Sequence, residues 1–236
     1  MSDLSILGLA AAMVLAGYLF DICATPPNPS PPKQDRPITD RIAILIGSRS
    51  HPAWVGHIAT AFILYHAFIT ALPVIAPESM SQVCPNAENR NKALFQWSAS
   101  TTIGLGLIYV GTFIRIMAYG GLGRSFTFHL APPDRLITSG IYKWIQHPSY
   151  SGLLFVLAGA HIIFGRWDGG PACWLSESLL SKLHGFGIHA TALISIIGTL
   201  IITTRIRDEQ SMLKDKFGEE WEEWHAMTSR IIPGVF

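Results

Sequence analysis

Five apolar runs dominate this chain, and each approaches the length of a helix that crosses a membrane. They are Leu4–Ile22, Ala53–Ala76, Trp97–Tyr119, Tyr150–Phe164 and Phe186–Thr204. A helix needs about 20 apolar residues to cross roughly 30 Å of hydrocarbon. The sequence therefore predicts an all-α, polytopic membrane helical bundle with about five transmembrane helices. The fourth run is short, so it must borrow residues from upstream, tilt little, or pair with the fifth run.

The composition excludes several other classes of protein. The chain is 49% hydrophobic and 14% charged, against roughly 25% charged residues in a soluble domain. Its net charge of +1 lacks the basic surplus of a nucleic-acid-binding protein, and its hydrophobicity excludes disorder. Cys23, Cys84 and Cys173 lie far apart without CxxC spacing, so the sequence indicates neither a disulfide framework nor a thiolate zinc site. We expect no metal site and no nucleic-acid partner.

A proline-rich connector separates the first two apolar runs. Residues 24–40 include six prolines between Pro26 and Pro37, which favour an extended chain over a helix. The next stretch, Ile38–Ser48, is apolar around Arg41 and is followed by Arg49, which predicts an interfacial helix. We divide the chain into residues 1–120, with three transmembrane helices and the connector, and residues 121–236, with two helices and a tail.

The distribution of Lys and Arg predicts the orientation of the chain. Cytoplasmic loops of membrane proteins retain positive charge. Twelve Lys and Arg residues fall after the first, third and fifth runs, against four in the segments of the opposite side. The amino terminus is therefore expected outside or in the lumen and the carboxyl terminus in the cytoplasm. Any site built from the segments after the third and fifth runs would open to the cytoplasm.

Polar residues collect in two clusters beside apolar runs, and the first is residues 129–152, HLAPPDRLITSGIYKWIQHPSYSG. Its Pro148 can occupy the first turn of a helix, where the missing amide is harmless. Ser149 and the neighbouring amides then offer donors suited to an anion. The alternative interpretation is a helix cap followed by an interfacial tyrosine, Tyr150.

The second cluster is residues 205–236, RIRDEQSMLKDKFGEEWEEWHAMTSRIIPGVF. Arg205 and Glu209 are four residues apart and share a face if the fifth helix continues out of the membrane. The alternative interpretation is a surface ion pair with positive charge that anchors the helix. Trp221 and Trp224 alternate with acidic residues, which is typical of an amphipathic segment lying on lipid headgroups.

One charge, Arg115, lies inside the third apolar run. Because it is near the cytoplasmic end of that run, we expect its side chain to extend to the membrane interface. The alternative is that it binds an anionic headgroup or a carboxylate.

Taken together, LITSGIYKWIQHPSYSG (residues 136–152) and residues 205–236, in this order and each beside an apolar run, resemble the isoprenylcysteine carboxyl methyltransferase family. That family lies within a wider group that includes phospholipid methyltransferases, and the resemblance extends from Gly120 to the carboxyl terminus. It implies a membrane enzyme, in most members of the endoplasmic reticulum, that transfers a methyl group from S-adenosylmethionine to the α-carboxylate of a prenylated cysteine. The implied partners are prenylated CaaX-type proteins or prenylcysteine, together with membrane lipids.

The resemblance also implies roles for individual residues. The S-adenosylmethionine site would be lined by Asp134, Arg135, Leu136, Ile137, Tyr142, His147, Pro148, Ser149, Tyr150 and Glu209. Arg205 matches a position near the substrate and would meet the acceptor carboxylate, so we predict it as a catalytic and substrate-binding residue. Gln146, predicted as the second catalytic residue, stands where the family's RHPxY motif has arginine, and Gln210 replaces the second of two acids. Glutamine can donate a hydrogen bond but cannot neutralise a carboxylate, which leaves the identity of the acceptor open.

The chemistry of the acceptor separates three interpretations. A carboxylate is already ionised at neutral pH, so its methylation needs alignment and a cationic partner and no general base. An amine or hydroxyl of a lipid or terpenoid must lose a proton, for which His129 or His147 would have to serve as base. The third interpretation, a catalytically silent membrane scaffold, predicts no binding of S-adenosylmethionine.

Overall fold

A computed structural model describes residues 2–29, 51–232 and 234, and its long elements are helices. We number them α1 (Asp3–Ala24), α2 (His51–Ile75), α3 (Ala99–Leu122), α4 (Pro148–Ile163), α5 (Glu177–Phe217) and α6 (Glu219–Met227). Within the described residues the β-structure is a single parallel bridge between Ile145 and Ser229. The predicted all-α class is confirmed. The connector beyond residue 29 and the predicted interfacial helix Ile38–Ser48 lie outside the described residues.

Among the described residues, four segments are long and apolar enough to cross a membrane. They are Asp3–Ala24, Trp54–Ile75, Lys92–Ser125 and His189–Phe217, so the chain is a multi-pass membrane protein. The fourth apolar run forms a helix of only 16 residues, fewer than the roughly 20 that a full crossing needs. It does not borrow residues from upstream, because the chain forms a 3₁₀ turn at Gly140–Lys143 and the helix begins at Pro148, a residue suited to a first turn.

Two compact units share the helices. The first unit comprises Met1–Asp21, Gly56–Val110 and Phe155–Ile194, and the second comprises Ile22–Val55, Gly111–Leu154 and Ser195–Phe236. Our division of the chain after residue 120 stays a prediction.

The core of the first unit is built from helix faces that carry small and aliphatic residues. Its buried members are Leu9, Met13, Ala16, Ala67, Leu105, Ile108 and Ile163. Gly159 allows close packing, since a methyl group at that position would collide with the carbonyl oxygen of Gly104. Small residues let transmembrane helices approach closely, where dispersion contacts hold them together.

A disulfide bond between Cys84 and Cys173 joins the loop after α2 to the loop after α4 in the first unit. The expectation that no disulfide was indicated is therefore wrong. The two cysteines are separated by 89 residues, and only the packing of the helices brings their loops together. The same loops are joined by Asn91, whose side-chain amide donates to the Asp168 carboxylate at 2.9 Å. Hydrogen bonds from Arg166 and Asn91 hold the pKa of Asp168 below its ordinary value, although burial acts to raise it.

The core of the second unit lies between α5, α6 and the chain that follows α3. Its buried members are Leu130, Leu136, Met212, Leu213, Trp221 and Trp224. Gly218, with φ of +53°, ends α5 and turns the chain into α6, a conformation that residues with a Cβ rarely adopt. Trp221 and Trp224 are only 5% and 8% exposed. The expectation that they lie on headgroups is wrong, because their three-residue spacing directs both rings into this core.

Candidate active site

The start of α4 meets the end of α5 through side-chain contacts within the second unit. The Tyr150 hydroxyl donates a hydrogen bond to Glu209 Oε2 at 2.9 Å, and His147 Nε2 lies 3.3 Å from the side-chain amide nitrogen of Gln210. Pro148 begins α4, which places His147 and Tyr150 on either side of the helix start. The structure thus brings together the two polar clusters that the sequence singled out.

His147 contributes a buried nitrogen atom without a hydrogen-bond partner. Its side chain is 1% exposed, and its Nδ1 lies 3.7 Å from Glu209 Oε1, which is beyond hydrogen-bond distance. Among the described residues this Nδ1 has no hydrogen-bond partner. If the Gln210 amide donates to Nε2, the ring is neutral and Nδ1 carries the proton. A buried N–H without an acceptor is costly, so a bound group that supplies one would be stabilised here.

Arg205 lies at the same place on α5, one helical turn before Glu209. It is 6% exposed, and its Nη2 donates to the carbonyl oxygen of Phe128. Its guanidinium also faces the hydroxyl of Tyr150. The alternative interpretation, in which Arg205 forms an ion pair on the protein surface, is wrong, because its guanidinium is buried beside Tyr150.

Tyr142 supplies a second buried hydroxyl near Glu209. Its Oη donates to the carbonyl oxygen of Ala118 at 3.3 Å. Burial raises the pKa of this hydroxyl well above its ordinary value, and the Glu209 carboxylate raises it further, against a smaller opposing effect of Arg115. Tyr142 therefore stays protonated near neutral pH and offers a neutral hydroxyl and an aromatic ring, not a base.

Ser149 connects this region to α3. Arg115 Nη1 donates to the Ser149 carbonyl oxygen at 3.0 Å and to its hydroxyl oxygen at 2.8 Å. Arg115 is 5% exposed, so the expectation that it extends to the membrane interface is wrong. Arg115 instead donates hydrogen bonds to the first turn of α4. The alternative prediction, that it binds an anionic headgroup or a carboxylate, stays open.

Gln146 makes its hydrogen bonds to the carboxyl-terminal segment. Its amide nitrogen donates to the carbonyl oxygens of Thr228 and His225, and its amide oxygen accepts from His225 Nδ1 at 2.8 Å. The residue is 3% exposed. These contacts fix the Gln146 side chain to the carboxyl-terminal segment, and they bring it no contact with Glu209 among the described residues. Its predicted catalytic role stays a prediction.

The backbone continues the same attachment. The Gln146 amide donates to the Ser229 carbonyl at 2.8 Å, and the His147 amide donates to the Arg230 carbonyl at 2.9 Å. The Ser151 hydroxyl donates to the Ile231 carbonyl at 2.6 Å. We call residues 228–231 the C-terminal strap. It fixes the turn that presents His147 to Glu209.

The segment Asp134–Ile137 is divided between surface and core. Asp134 and Arg135 are exposed and Ile137 is half-buried, whereas Leu136 belongs to the second unit's core with Trp221 and Trp224. This segment makes no hydrogen bond to the His147–Tyr150 turn among the described residues. Its predicted part in the cofactor site stays a prediction.

Sequence reasoning missed three features of this region. It did not find the strap, the packing of α6, or the bond between His225 and Gln146. The Trp224 ring nitrogen donates to the Tyr142 carbonyl at 3.1 Å, which ties α6 directly to the site. The spacing of Trp221 and Trp224 was the one available signal, since tryptophans three residues apart share a helix face.

Comparisons with known proteins agree with the resemblance. Residues 99–180 match the family model described as phospholipid methyltransferase. The chain is 26% identical over 181 residues to the "Probable protein-S-isoprenylcysteine O-methyltransferase" of Oryza sativa subsp. indica, covering 75% of this chain and 81% of that protein.

Two further relatives carry similar names. The chain is 26% identical over 144 residues to the protein-S-isoprenylcysteine O-methyltransferase of Schizosaccharomyces pombe, covering 59% of this chain and 52% of the relative. It is 27% identical over 140 residues to protein-S-isoprenylcysteine O-methyltransferase B of Arabidopsis thaliana, covering 57% of this chain and 60% of the relative.

Proposed function

We propose that this chain, which is related to the isoprenylcysteine carboxyl methyltransferases, transfers a methyl group from S-adenosylmethionine to the α-carboxylate of a prenylated cysteine. The observation that carries the proposal is the hydrogen bond from Tyr150 to Glu209 at 2.9 Å, with His147 alongside. It unites the two segments on which the resemblance rests. Three relatives bear names for this reaction.

The residues of this site fit the methyl donor chemically. S-adenosylmethionine supplies, when bound, a methyl group on a positively charged sulfur. We assign its binding to Tyr142, the His147–Tyr150 turn and Glu209. The Glu209 carboxylate can accept from amino or hydroxyl groups, and the unpartnered Nδ1 of His147 can donate to an oxygen or nitrogen of the ligand. The rings of Tyr142 and Tyr150 can contact a cation or stack on a base.

Arg205 is assigned to the acceptor carboxylate. Its guanidinium is buried next to Tyr150, and a buried cation binds a carboxylate more strongly than an exposed one does. The acceptor needs no base, because a carboxylate is ionised at neutral pH. The residues of the site therefore orient the two reactants and exclude water, which in well-oriented systems is worth about 7 to 11 kcal/mol of the barrier.

A membrane site suits an acceptor that carries a prenyl chain. Each buried methylene contributes about 0.8 kcal/mol to membrane binding, so the chain stays in the bilayer while its cysteine carboxylate reaches the site. We therefore propose prenylated CaaX-type proteins or prenylcysteine as partners, with membrane lipids around the helices.

We propose the endoplasmic reticulum membrane as the location, with the amino terminus in the lumen and the tail in the cytoplasm. The excess of Lys and Arg after the first, third and fifth apolar runs supports this orientation. The Cys84–Cys173 disulfide supports it independently, since disulfides persist in oxidising compartments and both cysteines lie in loops assigned to the lumen.

A second candidate function is methylation of a lipid amine or hydroxyl, which the match of residues 99–180 to the phospholipid methyltransferase model favours. That acceptor must be deprotonated, and His129 or His147 would then act as base. Replacing the base would abolish turnover in a pH-dependent way, whereas carboxylate methylation needs no such group.

Labelled methyl transfer distinguishes these functions. Membranes containing the full chain are incubated with methyl-labelled S-adenosylmethionine and with N-acetyl-S-farnesylcysteine, its geranylgeranyl counterpart, or phosphatidylethanolamine. We expect label in a base-labile ester of a prenylcysteine, and none when a carboxamide replaces the acceptor carboxylate. Label in phospholipid alone supports the second function, and a protein that does not bind S-adenosylmethionine is the scaffold.

A further inference from the structure

Arg115 is a buried cation inside a membrane-spanning helix. It lies in α3, within the candidate span Lys92–Ser125, and is 5% exposed. A charge at such a position is costly unless other groups compensate it, and arginine does not escape the cost by losing its proton. Neighbouring groups or a bound ligand must therefore compensate the charge of Arg115.

The partners of Arg115 orient the guanidinium without neutralising it. Its Nε donates to the Cys23 carbonyl at 3.1 Å, and its Nη1 donates to the carbonyl and hydroxyl oxygens of Ser149. The rings of Tyr119 and Phe128 lie 5.2 and 5.6 Å from the guanidinium carbon. Among the described residues no carboxylate lies within ion-pair distance of Arg115.

Arg115 belongs to the site described above. Ser149, which it holds, precedes Tyr150, and the Tyr150 hydroxyl donates to Glu209. Phe128 faces both arginines, because its ring lies against Arg115 and its carbonyl accepts from Arg205. Two buried guanidinium groups, those of Arg115 and Arg205, thus flank the chain that leads to the Glu209 carboxylate.

We propose that Arg115 binds a carboxylate, and that this is the carboxylate of the methyl donor. The inference rests on the proposed function, in which two carboxylates enter the site, one on the donor and one on the acceptor. Arg205 is assigned to the acceptor. Arg115 is bonded to Ser149, in the turn assigned to the donor, and Glu209 can balance the donor's ammonium group. Each of the two carboxylates then has an arginine partner, and the ammonium group has Glu209.

The test measures binding rather than turnover. S-adenosylhomocysteine and its decarboxylated analogue are titrated by calorimetry against the purified full chain in detergent. Charge-assisted hydrogen bonds contribute about 1.5–3 kcal/mol, so the wild-type protein should prefer the carboxylated ligand by roughly 10- to 100-fold. Arg115→Gln keeps hydrogen-bond donors and removes the charge, and it should reduce this preference to less than about threefold. Arg115→Lys keeps the charge and should retain a large part of the preference.

Tyr119→Phe is the matched control. It removes a hydroxyl that donates to the same Cys23 carbonyl without changing the charge, and it should keep the wild-type preference. A purely structural Arg115 would lower the affinity for both donor analogues equally in Arg115→Gln, and that outcome overturns the proposal. A variant that does not fold is recognised by its melting curve, and Arg115→Lys then decides, since loss of the preference with the charge retained contradicts the proposal.

A parallel titration separates the two sources of carboxylate. N-acetyl-S-farnesylcysteine and its carboxamide compete for the acceptor position. If Arg115→Gln abolishes the preference between these two while the donor preference stays intact, Arg115 serves the acceptor and the assignment to the donor is wrong. A wild-type protein that binds neither donor analogue contradicts the proposed function itself, whereas equal binding of both analogues contradicts only the role of Arg115.

Discussion

At the scale of single residues, Glu209 and Arg205 lie one helical turn apart on α5 and contact different groups. Glu209 accepts from the Tyr150 hydroxyl, and Arg205 donates to a backbone carbonyl. We assign Glu209 to the methyl donor and Arg205 to the acceptor carboxylate, so the two residues should fail in different ways when they are replaced.

For Glu209→Gln we expect a loss of donor affinity of about 10- to 100-fold, because a neutral amide replaces a charged acceptor worth about 1.5–3 kcal/mol. Calorimetric titration with S-adenosylhomocysteine measures it. Glu223→Gln, at an exposed position of α6, should bind like wild type. Unchanged donor affinity in Glu209→Gln would remove this residue from the cofactor site.

For Arg205→Gln we expect the opposite pattern. The KM for the prenylcysteine acceptor should rise at least about tenfold, since a charge-assisted hydrogen bond is lost, while the affinity for S-adenosylhomocysteine should change less than about threefold. Arg207→Gln is the matched control, because Arg207 lies two residues away and is exposed. An acceptor KM that stays at the wild-type value would refute the assignment.

At the scale of elements, the turn before α4 is fixed by the C-terminal strap and by α6. Gln146 bonds to His225 and Thr228, and two backbone amides of the turn bond to the strap. Burial and the positive charge of Arg230 lower the pKa of His225 below its ordinary value. Protonation of this ring is therefore linked to the stability of the strap.

The sign of this linkage predicts that acid weakens the strap. Since His225 binds a proton less readily when folded than when unfolded, its contribution to stability is complete above the ordinary pKa of about 6.5 and declines below it. The protection factors of the Gln146 and His147 amides, which are corrected for the intrinsic pH dependence of hydrogen exchange, should therefore fall as the pH is lowered from 7.5 to 5.5. In His225→Asn, which can still donate to Gln146 but does not titrate, this pH dependence should largely disappear. An equal fall of the protection factors in both proteins would contradict the linkage.

The sequence could predict some residues of the site but not the contacts between its elements. The resemblance named His147, Tyr150 and Glu209, and their contacts agree with a common site. The positions of Gln146 and Arg115 could not be predicted, because their partners lie 79 and 34 residues away in the chain. Local spacing gives no information on such pairs. The fourth helix stays short because it begins at Pro148 and does not extend into the residues further upstream.

At the scale of the whole molecule, the fold class and four of the expected membrane spans followed from hydropathy. The disulfide did not, since cysteine spacing carries a signal only when both residues belong to one local motif. Its presence connects loops that follow α2 and α4. It also gives the proposed orientation a chemical test that does not depend on catalysis.

We expect Cys84 and Cys173 to be oxidised in intact microsomes, because both loops are assigned to the lumen. Alkylation with a maleimide of increased mass before and after reduction measures this on gels. Cys84→Ser should lower the melting temperature, with an effect on stability of about 2 to 5 kcal/mol at most. Cys23→Ser tests the remaining thiol, which is buried and free. Cysteines 84 and 173 found reduced in intact microsomes would contradict the orientation.

The disulfide also orders events during biosynthesis. Cys173 leaves the ribosome only after α4 has been made. In the proposed orientation, the bond can therefore close only once both loops have reached the lumen. Formation of the disulfide would thus report the time at which the first four helices have been inserted correctly. In a pulse-chase experiment, the appearance of the faster-migrating oxidised chain would report when assembly passes that stage.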